Sequence, residues 1–207
     1  MEYETKYGKK EHYNDIISQF ENVQKFMFND KKGLCYHAFD EEKTQFWADK
    51  ETGCSSNFWL RSMGWYLMAL VDVMDNMSIE IYEQYRKLQD IFKAVLKGLL
   101  QYQDKESRLF YQVIDRSDAK GNYLETSGSA MAAYAVLKAC RMGILLKEKY
   151  VPAGMEIVES LINNKLKEEE GVLHLTGICH VAGLGPETNP ARDGSVAYYL
   201  SEKVVSD

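Results

Sequence analysis

The feature that most constrains this chain is a repeated pair of helical patterns. Three times, a charged segment with one apolar face is followed by a segment rich in Gly, Ala and Ser that is apolar nearly all round. The equivalent positions Trp65, Met131 and Tyr198 lie about 66 residues apart. A helix with one polar face covers a core, whereas a helix that is apolar on all sides is buried. The repeat therefore predicts inner helices ringed by outer helices, because such modules must stack to bury their apolar faces.

The apolar spacing predicts six helices. Outer helices are expected at residues 13–29, 81–103 and 148–166, and inner helices at residues 58–75, 124–143 and 193–202. The connections between them contain GLCYHAFD, SRLFYQVID and GVLHLTGIC. Each has a turn signal followed by an alternating apolar run, so we expect short extended pieces there. A toroid of hairpins explains these connections better than a compact four-helix bundle does.

Composition excludes several classes of function. The net charge is −6 and no stripe of Lys or Arg is present, so we expect no binding to nucleic acid. No apolar run reaches the roughly 20 residues that cross a bilayer, and the charged N-terminus lacks an apolar signal-peptide core. We therefore expect a cytoplasmic protein with no membrane association. The four cysteines lie far apart, which predicts reduced thiols and no metal site.

All three connections lead into the N-terminal end of an inner helix, so stacked hairpins would bring those ends to one rim. Helix N-termini favour anions, an arginine fork matches a carboxylate, and indole rings stack on the apolar face of a sugar. The rim thus predicts a site for an acidic sugar. Its candidate residues are Trp59, Arg61, Trp65, Asn122, Tyr123, Glu125, Arg192, Asp193 and Ser195, with His37 and His180 from the connections.

Structural explanations of the same residues remain open. Trp65 could belong to the core with Arg61 lying across its ring, and His37 could be a structural histidine. Residues 125–127 could only cap a helix, and Arg192 could pair with Asp193 acting as an N-cap. The acidic groups Asp72/Asp75 and residues 168–170 are most simply solvated or capping charges, and we assign them no chemistry.

Four segments together resemble unsaturated rhamnogalacturonyl and glucuronyl hydrolases, glycoside hydrolase family 105 and the related family 88. They are GLCYHAFDEEKTQFWADKETGCSSNFWLRSMGWYLMALVDVMD, LFYQVID, NYLETSGSAMAAYAVLKACRMGIL and GICHVAGLGPETNPARDGSVAYYLSEKVV. The resemblance covers nearly all of the chain in order. It implies an all-α fold of the (α/α)6-barrel, or six-hairpin toroid, type. Residues 1–207 would form one domain with about three hairpins, equivalent to the C-terminal half of the toroid, with the N-terminal half absent.

The resemblance also implies an unusual chemistry. Such enzymes act on the 4,5-unsaturated uronic acid at a non-reducing end of an oligosaccharide: a carboxylic acid protonates the vinyl ether at C4, water adds at C5, and the resulting hemiketal opens to release the next sugar. No metal or organic cofactor is implied. His37 matches the active-site histidine of the family, and Trp59, Arg61 and Trp65 match its W-x-R-x-x-x-W pocket segment. The R-D-G-S stretch at Arg192 and Asp193 matches a supporting segment.

Two departures from the family pattern bear on activity. Met63 stands where the family has Asn, which removes a hydrogen-bonding side chain and affects the expected substrate preference. The family's catalytic aspartate belongs to a segment that would precede Met1, so we name no catalytic residue. Asp15, Asp30 and Asp40 are nearby carboxylates, but none of them lies in the matching motif.

The leading hypothesis is therefore the substrate-binding half of an unsaturated-uronide hydrolase, with little or no turnover on its own. The alternative is a non-catalytic helical-repeat module that binds sugars or proteins. A sugar epimerase on the same toroid is a third alternative, which the R-D-G-S segment argues against. Half a toroid would also expose apolar faces, which predicts self-association.

Overall fold

Helices make up most of the computed structural model, which describes residues 1–206. The outer helices of the three expected pairs are α2 (Tyr13–Met27), α4 (Tyr82–Leu100) and α6 (Lys147–Lys165), and the inner helices are α3 (Leu60–Asp75), α5 (Thr126–Arg141) and α7 (Val196–Ser201). All six begin and end within about three residues of the predicted bounds. The helical class and the three hairpins are confirmed. A short helix that the periodicity did not predict, α1 (Glu2–Lys6), precedes them.

The connections contain the short extended pieces that the sequence predicts. Strands β1 (Phe28–Asn29) and β2 (Leu34–Cys35) pair with each other, and so do β3 (Leu166–Glu169) with β4 (Val172–Leu175) and β5 (Ile178–Cys179) with β6 (Val204–Val205); every pair is antiparallel. In the second connection, Tyr111 bridges Leu124 and Val113 bridges Trp59. These bridges hold the residues before α3 and α5 in extended conformation, which explains why both helices begin two residues later than predicted.

Strand β4 lies within the predicted extended run GVLHLTGIC, but its partner β3 was not predicted, because the acidic residues 168–170 were assigned only a solvated or capping role. Glu170 and Gly171 both have positive φ, 53° and 78°. Two consecutive residues with positive φ are typical of a two-residue hairpin turn, and the glycine adopts that conformation without strain. The three glutamates are exposed, as expected for solvated charges.

The core lies where the inner helices meet. Helix α3 packs along α5, while α4 covers α3 and α6 covers α5. Small residues allow a close approach: a Cβ on Gly128 would lie 2.5 Å from Leu60 Cγ, and one on Gly64 would lie 2.8 Å from Met131 Cβ. The glycine- and alanine-rich character of α5 therefore reflects contact between helix backbones. Outer helix α4 buries a single face, formed by Leu88, Phe92, Val95, Leu96 and Leu99.

Charged side chains join the C-terminal ends of α3 and α5. Lys138 Nζ lies 2.9 Å from Asp72 Oδ1 and 3.1 Å from Asp75 Oδ2, and Arg141 NH2 lies 2.8 Å from Asp75 Oδ2. Burial opposes the charge of Lys138, but its hydrogen bonds to Asp72, Asp75 and Tyr134 outweigh that effect and raise the pKa of this lysine. Asp72 and Asp75 are 44% and 36% exposed, consistent with solvated charges, and they additionally pair with α5, which was not predicted.

Candidate functional site

Backbone hydrogen bonds join the N-terminal ends of the inner helices, as the hairpin pattern predicts. Leu60 N donates to Gln112 O at 3.0 Å, and Thr126 N donates to Gly177 O at 3.0 Å. The start of each of these inner helices, α3 and α5, is therefore bonded to the connection that leads into the next inner helix. Asn57 Nδ2 donates to Gly194 O at 2.7 Å and thereby brings in the segment before α7. His37 N also donates to Asn57 O at 3.3 Å. We call this end of the molecule the rim, comprising His37, Tyr199 and residues 57–65, 122–127, 177–180 and 192–195.

An aromatic cluster surrounds His37 at the rim. The ring centroids of His37 and Trp59 are 4.6 Å apart, and His37 Nδ1 lies 2.7 Å from the hydroxyl of Tyr199. Tyr199 is fully buried, and its ring stacks on Trp59 at 6.3 Å. Two of the predicted site residues therefore touch, and the α7 tyrosine that supports them was not among the candidates.

Burial keeps the imidazole of His37 neutral. Its pKa falls from 6.5 to about 4, because desolvation disfavours the charged form. The hydrogen bond to Tyr199 occupies Nδ1, so Nε2 is the ring nitrogen left to interact with a ligand. At neutral pH, His37 can therefore contribute a neutral hydrogen-bonding group to the rim.

Trp59 has a fixed orientation within the rim. The residue is 7% exposed, and its Nε1 donates to Gln112 Oε1 at 3.1 Å. The Gln112 amide in turn donates to Cys179 Sγ at 3.0 Å and to Tyr199 O at 3.3 Å. Gln112 thus links all three connections. The one available signal was a lone amide inside the apolar run LFYQVID, and sequence reasoning did not use it.

Most of the guanidinium of Arg61 is bound within the protein. Nε donates to Ser127 Oγ at 2.8 Å, NH1 donates to His180 O at 3.2 Å, and NH2 contacts both Glu125 Oε1 and Cys179 O. Four of its five N–H groups therefore have partners among residues 1–206, and one on NH1 remains. The group lies over the Trp59 ring at 5.6 Å, so the alternative that placed it across Trp65 is wrong.

Glu125 is the buried partner of Arg61. Its carboxylate is the N-cap of α5 and accepts from the backbone N–H groups of Ser127 and Gly128 at 3.1 and 2.7 Å. Glu125 is therefore a capping residue, but the alternative that residues 125–127 only cap the helix is wrong, because Ser127 and Glu125 both contact Arg61. The carboxylate also accepts from Cys179 N at 3.0 Å and lies 3.5 Å from Arg61 NH2. The sequence did not reveal these two longer-range contacts.

Trp65 lies on the open side of α3. It is 57% exposed, so the alternative that it belongs to the core is wrong. Together with His37, Ser62 and Tyr66 it lines a cavity of about 320 Å³. The large exposed ring and the neutral imidazole therefore face one hollow, whereas Trp59 and Arg61 are not among the residues that line it.

Arg192 and Asp193 make no ion pair with each other among the described residues. Arg192 Nε donates to Gly183 O at 2.7 Å, and Asp193 Oδ1 accepts from Ser195 N at 2.8 Å. The N-cap of α7 is Ser195, so the alternative that Asp193 caps the helix is wrong. Asp193 borders a second cavity of about 600 Å³, together with Trp47, which sequence reasoning missed.

The structure also shows the surroundings of Met63 and of Asp40, one of the carboxylates near the matched segments. Met63 is 1% exposed and its sulfur accepts from Cys35 N at 3.2 Å, so this side chain belongs to the core. Asp40 closes a loop by accepting from Thr44 N and Gln45 N at 2.7 and 2.8 Å, and these hydrogen bonds lower its pKa. Asp40 therefore serves the loop.

We also searched residues 1–206 for metal-binding groups, disulfides and membrane-spanning helices. Within that range, the side chains of His, Cys, Asp and Glu form no group of three or more that could hold a metal ion. All four cysteines are buried free thiols: Cys35, Cys54, Cys140 and Cys179. The helices of the described chain are also too short or too polar to cross a bilayer.

Relatives of the chain share its fold and its sequence. The solved structure of a family 105 glycoside hydrolase from C. acetobutylicum ATCC 824 superposes with a TM-score of 0.94 at 42% identity, covering 99% of this chain and 56% of that one. The unsaturated glucuronyl hydrolase of Bacillus sp. GL1 superposes at 0.63 with 14% identity, covering 95% of this chain and 52% of that one, which shows the fold alone. The predicted toroid class is confirmed.

The relatives differ in length. The chain spans only about half of the two solved structures. Protein Atu3128 of Agrobacterium fabrum is 39% identical over 216 residues, which cover 100% of this chain and 89% of that protein. The family model described as Glycosyl Hydrolase Family 88 matches residues 1–206. Sequence, fold and family model thus agree, and the chain belongs to glycosyl hydrolase family 88.

Proposed function

We propose that the rim binds the unsaturated uronate end of an oligosaccharide, and that this chain is the substrate-binding part of an unsaturated-uronide hydrolase. The supporting observation is the shared cavity of His37 and Trp65, adjacent to the stacked Trp59 and Arg61. Family membership supports the same class of substrate. Rhamnogalacturonan-type oligosaccharides are the proposed substrates, and the cytoplasm is the proposed location.

The residues would divide the recognition of the sugar between them. Trp65 offers an exposed apolar face to a sugar ring, and His37 offers a neutral hydrogen-bonding nitrogen. Arg61 has one N–H left for the carboxylate, and no side chain of the described chain caps α3, so the positive end of that helix adds to the attraction. Arg192 and Asp193 would act at the edge of the site, beside the second cavity.

The proposed reaction is hydration of the vinyl ether. A carboxylic acid would donate a proton to C4, water would add at C5, and the hemiketal would open with release of the next sugar. We assign that acid to none of the residues of this chain, so we expect little or no turnover by the 207-residue protein. No metal or organic cofactor is part of the proposal.

Binding and turnover can be measured on the same samples. Calorimetric titration with an unsaturated uronyl disaccharide should show binding, and the absorbance of its conjugated double bond should stay constant with time. Loss of the exposed Trp65 ring in Trp65→Ala should weaken binding about tenfold or more, since stacking on a sugar is lost. Tyr82→Ala, which removes another exposed ring at 64% exposure, is the matched control and should bind like the wild type.

Two results would contradict the proposal. Equal affinity of Trp65→Ala and the wild type would show that the cavity is not the sugar site. Rapid loss of absorbance would show that a residue of this chain supplies the proton.

A protein-binding module remains the second candidate, because large apolar side chains are exposed near the third hairpin. Val172, Leu173 and Ile162 are 55%, 65% and 53% exposed. Clustered exposed apolar residues favour association, here proposed between copies of this chain. Sedimentation velocity should then show a concentration-dependent dimer that Leu173→Glu abolishes. A monomer at all concentrations would remove this candidate.

A further inference from the structure

Glu125 makes more hydrogen bonds than a helix cap requires. A cap needs an acceptor for the first free N–H groups of the helix, which here are those of Ser127 and Gly128. Glu125 Oε1 additionally accepts from Ser127 Oγ at 2.8 Å and from Cys179 N at 3.0 Å. The side chain is completely buried, so all of these bonds form away from water.

The additional bonds control the partners of Arg61. Because the Ser127 hydroxyl gives its proton to Glu125, its oxygen is free to accept the Nε–H of Arg61 at 2.8 Å. The bond to Cys179 N holds the residue whose carbonyl oxygen accepts from Arg61 NH2. Glu125 Oε1 itself lies 3.5 Å from NH2. Three acceptors around the guanidinium therefore depend on one carboxylate.

We propose that Glu125 is a positioning residue for Arg61. By fixing Ser127 and Cys179, it holds the guanidinium over Trp59 and leaves a single N–H on NH1 for an anionic ligand. This inference rests on the proposed function for its ligand, but the orientation of Arg61 is a property of the free protein.

A shorter side chain at position 125 can distinguish the role of Glu125 as a helix cap from its role in positioning Arg61. Aspartate is a preferred N-cap, so Glu125→Asp should keep α5 capped. It is one methylene shorter, so it should lose contact with Cys179 N and Arg61. The Nε–H signal of Arg61 in ¹H–¹⁵N spectra, assigned by its absence in Arg61→Lys, should shift and exchange faster with water. Far-ultraviolet circular dichroism should stay unchanged.

The ligand measurement uses a charged and an uncharged probe. Affinity for the unsaturated uronyl disaccharide should fall about tenfold in Glu125→Asp, as expected when a hydrogen bond to a charged group is misplaced. Affinity for the methyl ester of the same disaccharide should change less than twofold, because the ester carries no charge. A purely structural role would weaken both probes equally.

Asp104→Glu is the matched control. Asp104 accepts from Ser107 N and Ser107 Oγ at 2.8 and 2.7 Å in a turn outside the rim, so the change also moves a capping carboxylate by one methylene. It should leave the Arg61 signal and both affinities unchanged. Should Glu125→Asp fail to fold, Glu125→Gln provides the second test: its amide keeps the side-chain length but has one acceptor oxygen in place of two and no charge, so the Arg61 signal should shift, and an unchanged signal would overturn the proposal.

The outcomes are distinguishable. An unchanged Arg61 signal in the folded variant overturns the positioning role, whatever the ligand does. Equal losses of affinity for the acid and the ester also overturn it. If the wild type binds neither probe, the proposed function fails, while the Arg61 signal of the free protein still decides the role of Glu125.

Discussion

The two ends of the α3–α5 pair use charge in opposite ways. At the rim, the side chain of Glu125 is 0% exposed and that of Arg61 is 14% exposed, and both are surrounded by backbone partners. At the other end, Asp75 and Arg141 are 36% and 67% exposed. Removing one partner of a buried pair leaves a desolvated group without compensation, whereas exposed pairs are screened by water and salt. The rim therefore depends on a few charges, and each of them has a large effect on stability.

The largest expected effect is the loss of the buried cation. Arg61→Met keeps much of the side-chain volume but leaves the carbonyls of Cys179 and His180 and the hydroxyl of Ser127 without their donor. We expect the free energy of unfolding to fall by about 4 kcal/mol, the range seen when one partner of a buried pair is removed. Urea denaturation followed by circular dichroism measures it. A loss below about 1 kcal/mol would show that the two ends of the α3–α5 pair are energetically alike.

The next largest effect is a pH dependence of the free energy of unfolding that arises from His37 at the rim. The pKa of His37 is lowered from 6.5 to about 4 by burial, so between these values the unfolded chain binds more protons than the folded one. Stability is therefore complete above about pH 6.5 and is lost as the pH falls towards 4, by about 3 kcal/mol in total.

Unfolding midpoints measured from pH 7 to pH 4 test this effect. His37→Gln should flatten the profile, because the titrating group is removed. His180→Gln is the matched control on the exposed part of the rim and should keep the wild-type slope. The same slope in His37→Gln would show that the acid sensitivity arises elsewhere.

Features of the fold and of the site could be predicted from the sequence only where residues close together in the chain determine them. The helices follow from apolar periodicity, a signal carried by residues three and four apart, and their ends were placed within a few residues. The rim followed from the order of hairpins alone. The partners of Arg61 could not be predicted, because two of them are backbone carbonyls 118 and 119 residues away, at Cys179 and His180, and a carbonyl has no sequence signature.

The same limit explains why Trp47 was missed and why a core position remained an alternative for Trp65. Trp47 lies in a loop, outside any periodic pattern, so nothing in the sequence linked it to the cavity beside Asp193. Trp65 has the helical spacing of a core residue, and only the packing of neighbouring hairpins leaves it exposed. Periodicity shows which face of a helix is apolar, but it does not show whether a neighbour covers that face.

The smallest expected effect on stability is at the exposed C-terminal ends of α3 and α5. Arg141→Ala removes the pair with Asp75, but Lys138 still lies 3.1 Å from the same carboxylate. The free energy of unfolding should fall by less than about 1 kcal/mol, and the difference should vanish in 1 M salt, where the Debye length is about 3 Å. The Arg61→Met loss should largely persist in that salt, because Glu125 is fully buried and Arg61 is only 14% exposed, so added ions screen the pair weakly. A salt-sensitive loss at Arg61 would mean that the rim charges are solvated, and the contrast between the two ends would then fail.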